Sequence, residues 1–365
     1  MGFTCGIVGL PNVGKSTIFN ALTHAGAEVA NYSFTASDPN FGVVPVPDKR
    51  LDVISQLVPA KKTIFTTMEF IDVAGLVKGA SEGGGMGNKF LGHIREVSAI
   101  AHVVRCFEDD NIPHVHEKID PVTDIETINI ELMIADLENL EKRKIKIKKS
   151  ARSGDKDAKF QLEWLDKLID CLNDNQPTRS IEIPDAAVAS FVRSLTLITQ
   201  KPMMYICNIA DPAEADNDHV QKVMQYAKEE SAIALALTGA LECEIRDLDD
   251  KEEQELMAKE MGIDESGLDK IIQAGYTVLG LTTFFTVGGK ENKAWTIKKD
   301  CTAPQAAGTI HSDFEKGFIR AKVYHYEDLV AHKTESAVKD KGLMRLEGKD
   351  YKVQDGDIIE FLFNV

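Results

Sequence analysis

The sequence predicts an α/β protein with a parallel sheet, a helical insertion and a small α+β domain near its C-terminus. An apolar, β-branched run over 3–8 leads through a glycine loop into a helical pattern from Ser16 to Leu22. Four later runs are apolar enough for strands buried on both faces, namely Phe65–Val73, Ile100–Phe107, Met203–Ile209 and Ser231–Leu237. Helix-length segments separate these runs, as parallel strands require.

Length, charge and cysteine usage limit the class of protein. The 365 residues suffice for two or three domains, and 42 basic against 58 acidic residues give a net charge of −16. This acidic balance argues against a protein that coats nucleic acid, so any RNA contact must be regional. The six cysteines are scattered without a C-x-x-C pair, as in reduced cytosolic proteins. Without a basic leader or a membrane-length apolar run, we expect a soluble, cytoplasmic protein and no membrane association.

The α/β alternation stops over 127–199, where the chain becomes charged and helix-prone. Leucines at helical spacing predict two antiparallel helices joined near Ser153-Gly154-Asp155, with the leucines in the seam between them. The strand pattern resumes at Met203, so this arm interrupts one domain made of 1–126 and 200–275. Short strands and one helix over 276–365 predict a separate α+β domain.

The strongest motif is Gly9–Ser16, which fits G-x-x-x-x-G-K-[ST] between a predicted strand and a predicted helix. Its backbone N–H groups and the helix N-terminus can bind phosphate, Lys15 can reach the β- and γ-phosphates, and Ser16 can ligate Mg²⁺. We therefore predict a phosphate-binding loop (P-loop) with Lys15 as a catalytic candidate. The predicted nucleotide-binding residues of the loop are Asn12, Val13, Gly14, Lys15, Ser16 and Thr17.

A second motif, D-x-x-G from Asp72 to Gly75, ends a predicted strand. It places a carboxylate near Mg²⁺ and a glycine near the γ-phosphate, before a glycine-rich segment suited to switching. Many GTPases then have a glutamine that orients water, but this chain has Leu76. Hydrolysis therefore needs another polar group, a cation, a partner or the substrate itself. Candidates are Asn12, which could help to hold K⁺, and His114, for which a solvated loop histidine is the alternative.

Base recognition is predicted at Asn208-Ile209-Ala210-Asp211, which follows a buried strand but lacks the lysine of the N-K-x-D motif. Asn208 can bond the base edge and Asp211 supplies a carboxylate, whereas Ile209 lacks the charge of lysine. Thr238-Gly239, after the next strand, forms a candidate base-contacting loop, with a plain strand-to-helix turn as the alternative.

These motifs together resemble the YchF family of Obg-like ATPases over the whole chain. The segments concerned are GLPNVGKST (9–17), FGVVPVPDKRLD (41–52), DVAGLVKGAS (72–81), GNKFL (87–91) and APQAAGTIHSDFEKGFIRA (303–321). The resemblance implies a GTPase-like domain with a coiled-coil insertion and a C-terminal TGS domain of β-grasp form over 276–365. It also implies hydrolysis of ATP in preference to GTP, and association with ribosomes. Asp211 is one methylene shorter than the glutamate of the family's usual N-x-x-E.

The resemblance also bears on the metal site. The switch threonine of such proteins would match Ala36 here, so Thr35 would have to shift to serve. The predicted Mg²⁺ ligands are Ser16, Asp72 and Thr35.

A basic block from Lys142 to Arg152 contains seven Lys or Arg residues and no acidic one. Like charges repel at helical spacing, so this block near the end of an arm favours an RNA phosphate contact over a solvated helical face. Lys316, Arg320 and Lys322 could extend a binding face in the last domain. Ribosomal RNA is the expected nucleic acid partner, and no DNA partner is expected.

The main hypothesis is an NTP hydrolase whose nucleotide state regulates ribosome binding and modulates translation. The alternatives are a nucleotide-sensing module with negligible turnover and a GTPase in ribosome assembly. Phosphate release above a Lys15→Ala background would distinguish the hydrolase from the nucleotide-sensing module. Competition between ATP and GTP would distinguish it from the GTPase.

Overall fold

A computed structural model describes residues 3–24, 40–73, 85–116, 118–248, 250–263 and 265–364. The strands are β1 (Thr4–Val8), β2 (Asn40–Pro45), β3 (Lys62–Ile64), β4 (Thr67–Asp72), β5 (Ala99–Arg105), β6 (Met203–Asn208), β7 (Ile233–Leu237), β8 (Leu281–Thr286), β9 (Glu291–Lys298), β10 (Phe318–His325), β11 (Arg345–Glu347) and β12 (Asp357–Phe363). The helices are α1 (Lys15–His24), α2 (Lys49–Leu57), α3 (Gly85–Glu96), α4 (Pro121–Arg152), α5 (Lys156–Asn173), α6 (Ala186–Ser194), α7 (Asp218–Glu229), α8 (Gly239–Arg246), α9 (Lys251–Glu260), α10 (Gly267–Val278), α11 (Ala303–Ile310), α12 (Ser312–Lys316), α13 (Tyr326–His332) and α14 (Glu335–Asp340). The chain forms two units, Met1–Val44 with Glu69–Val278, and Pro45–Met68 with Leu279–Val365.

The first unit contains a sheet of order β2-β4-β1-β5-β6-β7. Strand β1 is parallel to β4 and β5, and β5, β6 and β7 are parallel to one another. This confirms the predicted α/β class, and every residue of β5 and β6 is buried. The sequence predicts that β7 is buried on both faces, but four of its five residues are only half-buried because it lies at the edge of the sheet.

The insertion contains the helical hairpin that the leucine spacing predicted, although α4 begins at Pro121 rather than near residue 127. The turn falls at Ser153 and Gly154, and Asp155 caps α5 by accepting hydrogen bonds from Asp157 N (2.9 Å) and Ala158 N (3.2 Å). One buried apolar cluster of this part combines side chains of α4, α5 and α6 with residues just after α6. Its members are Met133, Leu140, Trp164, Leu165, Leu168, Ile169, Leu172, Val188, Phe191, Val192, Leu195 and Leu197. The predicted two-helix seam is therefore part of a three-helix core.

Asp136 connects helix α4 to the segment that enters β6. Its side chain is fully buried and accepts hydrogen bonds from Ile198 N (3.1 Å), Thr199 N (2.8 Å) and Thr199 Oγ1 (2.8 Å). Burial raises the pKa of Asp136, and these donors oppose the shift. The hairpin is thus joined through buried hydrogen bonds to the segment that leads into β6.

The second unit is built on a sheet of order β11-β10-β12-β8-β9-β3. Helix α11 contributes to one apolar cluster of this unit, and α2, α13 and α14 contribute to the other. The sequence placed 45–68 in the first domain, but β3 pairs in parallel with β9, and Arg50 bonds both Asp48 (2.8 Å) and Asp355 (2.6 Å). The second unit therefore contains α2 and β3 as well as the chain from Leu279 onward, whereas the sequence assigned only 276–365 to it.

No helix within the described ranges is both long enough and apolar enough to cross a bilayer. All six cysteines are free, and Cys5, Cys106 and Cys207 are buried.

His102 is an unusual core residue in the middle of β5. Its side chain is fully buried, and neither ring nitrogen has a hydrogen-bond partner within the described residues. Burial, helped by the positive charges of Lys15 and Arg179, lowers the pKa of His102 to about 3. The folded protein therefore keeps this imidazole neutral, whereas the unfolded chain protonates it below its ordinary pKa of about 6.5.

We expect His102→Leu to stabilise the protein by about 1–3 kcal/mol at neutral pH, because it removes unsatisfied buried polar atoms. Between about pH 6.5 and the folded pKa of about 3, the unfolded parent binds more protons than the folded parent. Its stability therefore falls with falling pH by up to about 1.4 kcal/mol per unit. The variant lacks this contribution. Urea unfolding at pH 5 to 8 measures the difference, with half-buried His332→Leu as the control. Parallel pH profiles for parent and His102→Leu would contradict the prediction.

Candidate nucleotide-binding site

The P-loop lies between β1 and α1, as its motif predicted. Asn12 and Gly14 have φ values of +63° and +96°, the left-handed region that asparagine and glycine tolerate best. Lys15 is 8% exposed, and its ammonium group donates a hydrogen bond to the Leu10 carbonyl at 3.0 Å. Burial lowers the pKa of Lys15, while the nearby Asp72 opposes that shift. The lysine is thus held within the loop where phosphate is expected.

The two predicted metal ligands that the structure describes are in contact. The pairing of Ile7 with Asp72 places the end of β4 beside β1, and Ser16 Oγ donates to Asp72 Oδ2 at 3.1 Å. The second oxygen, Asp72 Oδ1, is buried and has no hydrogen-bond partner within the described residues. Burial raises the pKa of Asp72, and Ser16 and Lys15 oppose the shift. An unpartnered carboxylate oxygen beside a hydroxyl suits a hard cation such as Mg²⁺.

Three predicted residues cannot be placed in this site. Thr35, Gly75 and Leu76 lie outside the described residues. Within the described ranges, no group of three His, Cys, Asp or Glu side chains could hold a metal ion. A cation at Ser16 and Asp72 would therefore need phosphate or water oxygens to complete its coordination.

Asn208 connects the P-loop to the start of helix α8. Its Nδ2 donates to the Val13 carbonyl at 2.9 Å, and its Oδ1 accepts from Gly239 N at 3.0 Å. We expected this amide to bond the base edge, but both of its polar atoms bind the protein instead. A Cβ on Gly14 would lie 2.2 Å from Asn208 Nδ2. Glycine at position 14 therefore allows the loop to approach Asn208.

The other predicted base-binding residues organise the loops after β6 and β7. Ile209 is buried, and its N–H donates to the Leu237 carbonyl at 3.0 Å, so its side chain does not form an exposed cover for a base. Asp211 is exposed, and its Oδ1 caps the turn Pro212–Glu214 by accepting from Ala213 N at 2.8 Å. Thr238 is buried at the N-cap of α8, where its side chain makes no capping bond.

The loop after β5 brings His114 next to the P-loop. Asn12 Nδ2 donates to the Pro113 carbonyl at 3.1 Å, so the residue preceding His114 touches the loop directly. The imidazole is nearly buried, with Nε2 at 3.1 Å from Asp124 Oδ2 and 3.3 Å from Oδ1. His114 is therefore a packed residue with a carboxylate partner and not a freely solvated loop side chain. The amide nitrogen of Asn12 donates to Pro113, and its amide oxygen is the atom of this side chain that could coordinate K⁺.

The sequence did not single out Arg105 and Asp124, which shape this loop. Arg105 is 1% exposed and donates to the carbonyls of Phe107 (3.1 Å), Asp109 (2.9 Å) and Ile112 (2.8 Å). The sequence did offer one signal for Arg105, because it is a charged residue near the end of the apolar run Ile100–Phe107. Asp124 resembles an ordinary acidic residue in the first turn of a helix, so nothing in the sequence indicated its partner.

Two family profiles match the chain. One, described as a 50S ribosome-binding GTPase, matches residues 4–145. The other, for the C-terminal domain of the YchF GTPase and described as a protein of unknown function, matches residues 281–364. The two profiles thus cover the P-loop region and most of the second unit.

Full-length relatives are similar over the whole chain. The ribosome-binding ATPase YchF of Bacillus subtilis is 52% identical over 368 residues, and that of Escherichia coli O157:H7 is 51% identical over 365. Both alignments cover 100% of this chain and of the relative. The structure of the Schizosaccharomyces pombe YchF GTPase superposes with a TM-score of 0.86 at 36% identity, covering 99% of this chain and 98% of that one.

Proposed function

The chain belongs to the YchF family, and on that premise we propose that it hydrolyses ATP and uses its nucleotide state to regulate ribosome binding and modulate translation. The observation that carries this proposal is the P-loop with Lys15, Ser16 and Asp72 in one cluster, stabilised by Asn208. The relatives from Bacillus subtilis and Escherichia coli O157:H7 are ribosome-binding ATPases, which supports the reaction and the partner. A cytoplasmic location follows from ribosome binding.

The described residues fit a nucleotide with Mg²⁺. Backbone N–H groups of the P-loop and of the start of α1 would bind the phosphates, and Lys15 would exchange its bond to Leu10 for a phosphate oxygen. Ser16 Oγ and Asp72 would hold Mg²⁺, which would supply positive charge against the phosphates. Asp72 Oδ1, buried without a hydrogen-bond partner among the described residues, is the feature that supports this assignment.

We propose that adenine is preferred to guanine. Guanine recognition uses a carboxylate that accepts bonds from N1–H and N2–H₂, but one oxygen of Asp211 already accepts from Ala213 N. Adenine has an acceptor at N1, so a carboxylate in the guanine pose would repel it. Because Asp211 caps its own turn, this repulsion is removed. Ile209 is buried, so the base has no cover like that of the lysine in N-K-x-D.

We expect ATP to bind about tenfold more tightly than GTP, or about 1.4 kcal/mol. Competition of ATP, GTP and their non-hydrolysable analogues against one labelled nucleotide measures the ratio. Asp211→Ala should change the ratio by less than about threefold, or 0.7 kcal/mol. Asp250→Ala, which removes a similar cap on Glu252 N (2.8 Å), is the matched control. Tighter binding of GTP would instead support the GTPase in ribosome assembly.

Turnover distinguishes an ATPase from a nucleotide-sensing module. Phosphate release should exceed that of Lys15→Ala, which removes the ammonium group beside Asp72. Running the assay in KCl and in NaCl at equal ionic strength tests whether K⁺ assists. Release no greater than in Lys15→Ala, with nucleotide binding retained, would favour the binding module.

We propose that the basic end of α4 contacts ribosomal RNA, together with the second unit. Within the block, Lys142 pairs with Glu138 (3.1 Å) and Lys144 with Asp166 (2.6 Å). The exposed cations left for phosphate include Lys146, Lys148, Lys149 and Arg152. In the second unit Lys316 and Arg320 are exposed, whereas Lys322 pairs with Glu360 (2.8 Å).

A further inference from the structure

His114 and Asp124 form a buried pair near the P-loop. Their side chains are 5% and 1% exposed, and Nε2 of His114 lies 3.1 Å and 3.3 Å from the two oxygens of Asp124. Asp124 lies in the first turn of α4, whereas His114 lies in the loop after β5. The pair thus joins a helix and a loop across ten residues of sequence.

The carboxylate determines which ring nitrogen carries hydrogen. A carboxylate oxygen only accepts, so in the neutral imidazole Nε2 must carry the hydrogen that binds Asp124. This leaves Nδ1 as the acceptor, and Nδ1 is buried without a hydrogen-bond partner among the described residues. An acceptor held in a fixed orientation and without a protein partner is suited to bind a water hydrogen.

We propose that Asp124 is a positioning residue for hydrolysis: it fixes the His114 tautomer so that Nδ1 can orient the attacking water. This inference rests on the proposed ATPase function. It supplies the polar group that Leu76 lacks at the position where many GTPases have glutamine. Asp124 acts through His114 and touches neither water nor phosphate itself.

The surrounding loop is built to keep this pair in place. Three carbonyls of the loop bind the Arg105 guanidinium, which also stacks 4.6 Å from the centre of the Phe107 ring. The loop then reaches the P-loop through the bond from Asn12 to the Pro113 carbonyl. His114 follows this contact directly in the chain, so a change at Asn12 on nucleotide binding acts on the residue before the imidazole.

Other titratable groups face the pair. His116 Nε2 lies 3.9 Å from Asp124 Oδ1, and its ring meets that of His114 edge-on at 6.0 Å between centres. The charge of Asp120 opposes ionisation of Asp124, and Cys106 is close enough for Asp124 to raise its pKa. Burial raises the pKa of Asp124, and His114 is the main opposing group.

The kinetic test compares Asp124→Asn with Asp157→Asn, which changes an exposed aspartate in the first turn of α5. The amide can donate to Nε2 and so favour the wrong tautomer, as the same change does in serine protease triads. We expect kcat of Asp124→Asn to fall about 10- to 100-fold, or 1.4–2.7 kcal/mol, with KM for ATP within about twofold. Asp157→Asn should match the parent, and Asp124→Glu should recover part of kcat.

A second measurement does not depend on turnover. Nitrogen-15 NMR of histidine-labelled protein, with the His114 signal assigned from His114→Gln, reports the tautomer directly. We expect the Nε2–H form in the parent and in Asp124→Glu, and a shift toward Nδ1–H in Asp124→Asn. Unfolding midpoints show that the variants compared are folded.

Several results would overturn the proposal. One is an Asp124→Asn variant with parental kcat, and another is the Nδ1–H tautomer in the parent. A lower kcat with an unchanged tautomer would assign Asp124 a purely structural role. A parent with no turnover above Lys15→Ala would remove the proposed function and this inference together, whereas turnover unaffected by Asp124→Asn would remove this inference alone.

Discussion

Gly14→Ala is expected to lower the affinity for nucleotide at least about 100-fold, or 2.7 kcal/mol. A Cβ at this position would lie 2.2 Å from Asn208 Nδ2, far inside contact distance. Either Asn208 must leave its bonds to Val13 and Gly239, or the P-loop must move away from β6. Both outcomes displace the backbone N–H groups that bind phosphate. Isothermal titration with ATP and with ADP measures the loss.

Gly154→Ala is the matched control for this substitution. Gly154 has the same φ of +96°, so alanine meets a similar backbone strain there. A Cβ at Gly154 would meet no atom within 4 Å, so only the collision with Asn208 differs. Gly154→Ala should therefore bind ATP like the parent. Equal affinities in Gly14→Ala and Gly154→Ala would show that the contact between Gly14 and Asn208 does not maintain the site.

Reversing four charges at the end of α4 is expected to weaken ribosome binding about tenfold or more at moderate salt. The variant is Lys146, Lys148, Lys149 and Arg152 to Glu, chosen because all four are exposed. Lys144 is kept, since its bond to Asp166 (2.6 Å) connects α4 to α5. The 32 residues of α4 span about 48 Å at 1.5 Å per residue, so these charges lie far along the helix from Asp124.

Co-sedimentation with ribosomes across a salt series measures the effect. The slope of log affinity against log salt should flatten by about two to four, roughly one for each phosphate that the variant no longer neutralises. The control reverses the exposed Lys222, Lys228, Lys259 and Lys270, which changes the net charge by the same amount. ATP turnover without ribosomes should match the parent in both variants. If the arm variant binds like the parent at every salt concentration, the ribosome is bound elsewhere, by the second unit or near the P-loop.

Local patterns in the sequence determined the parts of this protein that depend on neighbours in the chain. Strand, glycine loop and helix at Gly9–Ser16 follow one another directly, and their backbone geometry is encoded by spacing alone. The same holds for the hairpin, where leucines at helical spacing flank Ser153-Gly154-Asp155 and Asp155 caps the following helix. Ser16 and Asp72 were also predicted at one metal site, from the P-loop and D-x-x-G motifs, and their side chains are in contact.

Only the tertiary structure decided which distant residues complete the site. Asn208 binds Val13 across 195 residues of sequence, and Asn12 binds Pro113 across 101. An asparagine after a buried strand looks the same whether it binds a base or a carbonyl of the P-loop, because both offer similar hydrogen-bonding groups.

The second unit and the His114 pair follow the same rule. The sequence assigned α2 and β3 to the first domain. In the structure β3 pairs with β9 and Arg50 bonds Asp355, and no local pattern encodes these contacts. Asp124 likewise has the sequence context of an ordinary acidic residue in a first helical turn. Its contact with His114 depends on burial, and burial of a polar group is set by packing from several elements at once.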